Sequence, residues 1–104
     1  MADYGNLGRF YINGEWVAPA SGATLVDVIN PATVESVARV PLGTSADAEK
    51  AIAAARAAFP GFSGWSVSDR LALLGRIRDV YERRLDEIAE AISTEMGAPL
   101  AMAK

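Results

Sequence analysis

An apolar repeat in steps of three and four residues runs from Leu74 to Met96, and it restricts the second half of the chain to helix. Residues at this spacing lie on one face of an α-helix, so the repeat predicts an amphipathic element. It is longer than a usual globular helix, and we expect a break near Arg83-Arg84. The repeat consists of Leu74, Ile77, Tyr81, Leu85, Ile88, Ile92 and Met96.

A narrower, alanine-rich stripe predicts an earlier helix. Thr44 and Ser45 are its N-cap candidates, because a hydroxyl can accept a hydrogen bond from an unpaired first-turn amide. Pro60-Gly61 is expected to stop this helix, because proline lacks the amide hydrogen that a helix needs. The stripe consists of Ala48, Ile52, Ala55 and Phe59.

Capping signals also bound the later helices. Ser66 or Ser68 is expected to cap the helix with the longer repeat, and Asp69 follows Ser66 at capping-box spacing. Gly97 suits the end of that helix, and Pro99 suits the first position of another. Residues 100–104 supply only one turn of it, which is not stable alone. We therefore interpret the chain as a fragment of a longer protein.

Residues 10–43 carry strand and turn signals. Asn13-Gly14 lies between Phe10–Ile12 and Glu15–Val17, which predicts a hairpin, because both turn positions need a positive φ. Further strands are predicted over 24–29 and 36–40, and short strands with tight turns suggest an antiparallel meander. The segment is thus predicted to be α+β. It comprises an N-terminal tail (1–9), a β-hairpin and strands (10–43), and two or three amphipathic helices (44–104).

Composition excludes several functions. The 104 residues contain no Cys and no His, so they supply no thiol nucleophile, no imidazole base and no Cys/His zinc site. A net charge of -3 argues against a nucleic-acid partner. Met1 to Gly5 show no signal-peptide pattern, and no apolar run approaches the ~20 residues of a membrane span. We expect a cytoplasmic protein without a membrane partner.

Five ordered segments resemble the aldehyde dehydrogenase superfamily. Each is a weak signal alone, but their shared order and spacing is specific, and together they cover nearly the whole chain after residue 8. The likeness departs from the family at Ala98, where lysine is common. The segments are the "ING-x-W" element at 10–17, the "NPAT" turn at 28–33, the alanine-rich helix at 47–59, the "R-x-x-x-L" helix start at 69–74, and the "G-K-P"-like end at 95–100.

This resemblance implies an α/β enzyme of several hundred residues with a Rossmann-type cofactor domain, a catalytic domain and an oligomerisation arm. Such an enzyme oxidises a small-molecule aldehyde to a carboxylate with NAD or NADP, and its parent form is expected to be a homo-oligomer. The family's catalytic cysteine, glutamate and asparagine all fall beyond Lys104, and no G-x-G-x-x-G occurs here. We therefore assign no catalytic and no cofactor-binding residue, and we expect the chain alone to be inactive.

The resemblance also implies one metal site. Some family members bind a monovalent cation through backbone carbonyls near the "NPAT" turn and an acidic residue before the Gly-x-Pro. Matching the motifs places these ligands at Val28, Ile29 and Glu95. The alternative for Glu95 is a solvated acid at a helix end.

The aromatic and acidic residues, and the role of the chain as a whole, each allow more than one interpretation. Trp16 and Trp65 are interpreted as packing anchors rather than ligand-stacking residues. The acidic cluster of Asp86, Glu87 and Glu90 is interpreted as a solvated helix face rather than an acid pair. The chain is expected to be a structural segment whose partner is the remainder of the enzyme. Its alternatives are a free-standing interaction or dimerisation module, and a homologue with another aldehyde specificity or with no activity.

Overall fold

Four short strands precede four helices in the computed structural model, which describes residues 5–104. The predicted α+β class is confirmed. Most of the segment considered for a signal peptide, residues 1–4, lies outside the described range. The elements are β1 (Phe10–Ile12), β2 (Glu15–Val17), β3 (Leu25–Asn30), β4 (Glu35–Pro41), α1 (Ser45–Ser63), α2 (Val67–Arg83), α3 (Leu85–Met96) and α4 (Leu100–Ala103).

The hairpin β1–β2 forms as predicted. Its two turn residues, Asn13 and Gly14, have φ values of 55° and 80°. Antiparallel pairing aligns Ile12 with Glu15 next to the turn. Tyr11 and Trp16 face each other across the two strands, with ring centroids 5.2 Å apart. The turn chemistry therefore fixes this register.

The predicted meander is wrong, because the described strands form two separate two-stranded sheets. β3 pairs with β4 in an antiparallel ladder that is irregular between Val28 and Ile29. The segment after β2 instead runs to the start of α1, where the Ala20 amide donates a 2.8 Å hydrogen bond to Asp47. This anchor separates β2 from β3.

Thr44 is the N-cap of α1, and the Asp47 carboxylate accepts a 2.9 Å bond from its amide. The helix does not stop at Pro60-Gly61 as expected but continues to Ser63. A proline removes one amide donor, and only a single turn follows it here. That last turn is held by the Arg70 guanidinium, which donates to the Ser63 carbonyl at 2.9 Å.

The long apolar repeat divides into α2 and α3 at Arg84, so the predicted break is confirmed. Ser66, rather than Ser68, caps α2 by accepting a 3.1 Å bond from the Asp69 amide. Gly97 ends α3 with a φ of 75°, as its left-handed position requires. Pro99 lies one position earlier than expected, since it precedes α4 as its N-cap.

The described residues form a thin layer with almost no interior. Its principal extents are 48 × 37 × 17 Å, and its radius of gyration is 17.1 Å. A compact domain of this length has a radius of about 13 Å. Within residues 5–104, Ala89 is the one hydrophobic residue that is fully buried. The helices pack on the strands at two places, where α3 meets β3 and where α1 meets β1.

Candidate functional site

The apolar stripes predicted for α1 and α2 are largely uncovered. Ile52 and Phe59 on α1 are 61% and 67% exposed, and Leu74 and Ile77 on α2 are 60% and 55% exposed. The accessible surface of 7876 Å² exceeds the roughly 5,600 Å² expected for a compact chain of 11.0 kDa. The excess of roughly 2,200 Å² is more than twice the ~800 Å² that each partner buries in a protein–protein interface of standard size. We call these exposed sides of α1 and α2 the apolar face.

A groove lies between the β3–β4 sheet and α3. It has a volume of about 180 Å³, and its walls are mostly aliphatic. Two of the three residues predicted to bind a cation, Val28 and Glu95, line it from opposite elements. The groove is lined by Leu7, Val28, Val37, Ala38, Val40, Ala91, Thr94 and Glu95.

Ile29, the third predicted ligand, is not among the residues that line the groove. Its side chain is 45% exposed, and along β3 it alternates with the more buried Val28. The strand pairing is irregular between these two residues, where Val28 pairs with Ala38 and Ile29 with Ser36. β4 therefore carries one extra residue, Val37, opposite the step from Val28 to Ile29, as in a β-bulge.

The end of α3 lies directly on the "NPAT" turn. A Cβ built on Gly97 would be 2.7 Å from Pro31 Cγ, so only glycine fits without a shift. This close approach brings Glu95 near the end of β3. The Glu95 carboxylate makes no hydrogen bond or ion pair with the described part of the chain. Its oxygens are thus available to a ligand.

No group of three or more Asp, Glu, His or Cys side chains that could hold a metal ion occurs within the described range. A cation at Val28, Ile29 and Glu95 would therefore depend on backbone carbonyls together with one carboxylate, which are oxygen donors that hard cations prefer. The residues present fit that donor set.

Among the residues that the structure describes, two charged groups have shifted pKa values, and both lie at helix ends. The pKa of Asp47 is lowered, first by the hydrogen bond from the Thr44 amide and then by that from the Ala20 amide. Arg84 forms a 2.8 Å ion pair with Glu87, and their hydrogen bond raises the pKa of the guanidinium. The first group fixes the start of α1, and the second lies at the α2–α3 break.

An aromatic pair joins the last turn of α1 to the loop that follows it. Trp65 lies against Phe62 with ring centroids 5.3 Å apart, and it remains 41% exposed. Arg70 donates to the carbonyls of Ser63 and Trp65 and lies 5.9 Å from the Phe62 ring. The arginine of the "R-x-x-x-L" segment is therefore a structural clamp, which its motif position alone did not indicate.

The acidic face of α3 is engaged in surface ion pairs. Asp86 pairs with Lys104 at 2.7 Å, and Glu87 pairs with Arg84. Both carboxylates are more than half exposed, which agrees with a solvated face.

None of the helices within residues 5–104 has the length and hydropathy needed to cross a bilayer.

Comparison with known proteins shows the family to which this α+β layer belongs. The sequence model of the aldehyde dehydrogenase family matches residues 16–104. This match covers most of the chain, and the chain belongs to the aldehyde dehydrogenase family.

Individual relatives agree with this assignment. A 3-succinoylsemialdehyde-pyridine dehydrogenase from a Pseudomonas species is 49% identical over 100 residues, which cover 96% of this chain and 20% of that protein. The solved structure of an aldehyde dehydrogenase C mutant from Pseudomonas syringae, complexed with NAD+ and octanal, superposes with a TM-score of 0.93 at 47% identity. The superposition covers 99% of this chain and 21% of that one.

An aldehyde dehydrogenase from Bartonella henselae gives a TM-score of 0.88 at 44% identity, and the likeness covers 91% of this chain and 20% of that one. The chain thus spans about a fifth of the length of the relatives that it matches.

Proposed function

We propose that this chain forms a supporting layer of a longer aldehyde dehydrogenase, an oxidoreductase that converts an aldehyde to a carboxylate with NAD+ or NADP+. The observation that carries the proposal is the uncovered apolar face in a fold that matches a fifth of a solved aldehyde dehydrogenase. When bound in the parent enzyme, the dinucleotide accepts the hydride. NAD+ is the cofactor in the Pseudomonas syringae structure.

The role of this chain is to present apolar side chains to the remainder of the parent polypeptide. Fully burying a Leu, Ile or Phe side chain contributes about 1.5–3 kcal/mol, so several such residues together stabilise an interface strongly. Phe59 and Leu74 lie on the apolar face, whereas Arg76 lies two residues beyond Leu74 on the same helix and points elsewhere around it.

A chimera tests this role. The part of aldehyde dehydrogenase C that this chain matches is replaced by the 104 residues, and reduction of NAD+ with octanal is measured. We expect activity to be retained and to fall sharply in the Leu74→Asp variant, because a carboxylate would be buried in the new interface. Arg76→Asp, the matched control on the same helix, should retain activity. Equal activity of both variants would contradict the proposal.

The 104-residue chain alone is proposed to bind no NAD+ and to oxidise no aldehyde. It contains no cysteine for the nucleophile and no glycine-rich phosphate turn. Isothermal titration of the chain with NAD+ measures this directly. Saturable binding in the micromolar range would contradict the assignment of a purely structural role.

A free-standing interaction module, the competing function, is not favoured, because relatives about five times as long carry the same fold. The substrate is proposed only as an aldehyde, and the parent enzyme is proposed to be a homo-oligomer. These parts of the proposal rest on family membership alone.

The monovalent cation belongs to the same proposal. The carbonyls of Val28 and Ile29 and the Glu95 carboxylate are proposed to hold it between the end of β3 and the end of α3. The shared groove of Val28 and Glu95 and the close approach of Gly97 to Pro31 support this arrangement. A bound cation would tie the sheet to α3.

Thermal melts in potassium, sodium and tetramethylammonium chloride at equal ionic strength test the site. We expect a higher melting temperature in the alkali salts, because an ion that binds the folded chain stabilises it by mass action. Glu95→Gln should abolish the difference. Glu49→Gln, which removes the same charge from the exposed side of α1, should preserve it. An identical salt response in all three proteins would refute the site.

A further inference from the structure

We propose that Asn13, in the turn between β1 and β2, is a site of spontaneous deamidation. Asn13 and Gly14 form the two-residue loop of the hairpin, and both residues are exposed. Both have positive φ values, and a Cβ built on Gly14 would be in open space. Water and base therefore reach this peptide unit freely. The inference is independent of the proposed function.

The backbone nitrogen of Gly14 is the nucleophile for this reaction, and Gly14 is an exposed residue. A Cβ placed on Gly14 would meet no atom within 4 Å. Glycine itself carries no Cβ that would hinder the approach of its nitrogen to a neighbouring side chain. Within the described range, the Gly14 amide donates no hydrogen bond, since the ladder closes on the pair of Ile12 and Glu15.

The chemistry requires only water. The Gly14 nitrogen attacks Cγ of the Asn13 side chain, and a new C–N bond forms as the bond from Cγ to the amide nitrogen breaks. The leaving group departs as ammonia and carries away the proton lost from the Gly14 amide. Hydrolysis of the resulting five-membered succinimide at one carbonyl gives aspartate, and at the other isoaspartate. No atom is oxidised or reduced.

The attack requires the turn to open, and this hairpin opens at low cost. β1 and β2 have three residues each and form a sheet of two strands only. A two-stranded hairpin is marginal in water, and such elements open locally far more often than a whole domain unfolds. On the side of α1, the groove beside the turn is lined only by alanines, whose small side chains bury little apolar surface: Ala51, Ala54, Ala55 and Ala58.

Isoaspartate would change the structure as well as the charge. It adds one methylene to the backbone inside a two-residue loop whose length sets the pairing of Ile12 with Glu15. The hairpin would lose its register and withdraw from Ala51 and Ala54 on α1. Deamidation would thus slowly and irreversibly detach the β1–β2 hairpin from α1.

The two other asparagines of the chain, Asn6 and Asn30, serve as internal controls for the reaction at Asn13. Asn6 is also exposed, but it precedes Leu7, whose side chain hinders the backbone nitrogen. Asn30 precedes Pro31, whose nitrogen has no hydrogen to lose and cannot form the same ring. A reaction directed by the Asn13-Gly14 unit should therefore spare both residues.

The test is to age the folded 104-residue chain at mildly alkaline pH and follow each asparagine by peptide mass mapping and isoaspartyl methyltransferase labelling. We expect Asn13 to convert roughly tenfold faster than Asn6, and Asn30 to form no succinimide. Amide exchange across β1 and β2 should be faster in the aged protein than in the fresh protein.

Three results would overturn the inference. The first is an intact Asn13 in the folded chain while a urea-unfolded sample is modified, which would mean that the turn protects the residue. The second is equal conversion of Asn6 and Asn13. The third is conversion of Asn13 with unchanged exchange in the hairpin, which would remove the proposed structural consequence.

Discussion

Replacing Gly97 with alanine is expected to destabilise the chain by about 2–5 kcal/mol, from two separable causes. The residue has a φ of 75°, and a left-handed conformation costs an L-residue with a Cβ roughly 1–2 kcal/mol. The new Cβ would also be 2.7 Å from Pro31 Cγ. Forcing extra volume into a tight contact costs about 1–3 kcal/mol.

Gly22→Ala is the matched control. Gly22 has a φ of 88°, and no atom lies within 4 Å of its added Cβ. This variant should lose only the conformational part, roughly 1–2 kcal/mol. The difference between the two variants isolates the contact between the end of α3 and the turn at Pro31.

Equilibrium urea unfolding followed by far-ultraviolet circular dichroism measures both free energies of unfolding. The double variant Gly97→Ala with Pro31→Ala should recover the contact part, and the coupling energy of the cycle gives its size. If Gly97→Ala and Gly22→Ala lose the same stability, the close approach of α3 to the turn does not constrain the chain, and the reasoning is wrong.

Three further changes are expected to alter stability measurably. Thr44→Ala should lower the free energy of unfolding by about 1 kcal/mol in urea titrations, because the N-cap hydroxyl is lost, and Thr44→Ser should not. Val34 is a β-branched residue with a φ of 60°, which is a strained conformation. Val34→Asn should therefore raise the free energy of unfolding by roughly 1 kcal/mol, seen as a higher melting temperature. The pKa of Asp47 is lowered in the folded state from its ordinary value of 3.8. The contribution of Asp47 to stability is therefore complete above that value and is lost as the pH falls through the folded pKa. In Asp47→Asn, the free energy of unfolding, measured by urea titration at several acid pH values, should depend less on pH.

Local signals in the sequence predicted the helices and strands well where the interacting residues lie close together along the chain. Asn13-Gly14 specified its hairpin, Ser66 capped α2, and the break at Arg84 followed from the length of the apolar repeat. At Pro60 the local rule failed. A proline so near the end of a helix costs only one backbone hydrogen bond, and the Arg70 guanidinium from α2 donates to the carbonyl of Ser63, the last residue of α1.

The candidate cation site was only partly accessible to sequence reasoning. The motifs placed Val28, Ile29 and Glu95 together by family resemblance, but they did not indicate which of them share a groove. The pairing of β3 with β4 and the approach of Gly97 to Pro31 decide that. Contacts between residues more than sixty-five positions apart, such as Pro31 and Gly97, depend on tertiary packing, which periodicity does not encode.

Sequence alone determined the α+β order of elements, the absence of cysteine and histidine, and the motifs that identify the family. Those properties are local, since caps, turns and helical stripes act over a few residues. Only the tertiary structure decided that the strands form two sheets and that α1 and α2 leave their apolar sides uncovered. The physical reason is that an apolar stripe specifies a face to be buried but not what covers it, and burial depends on which surfaces meet.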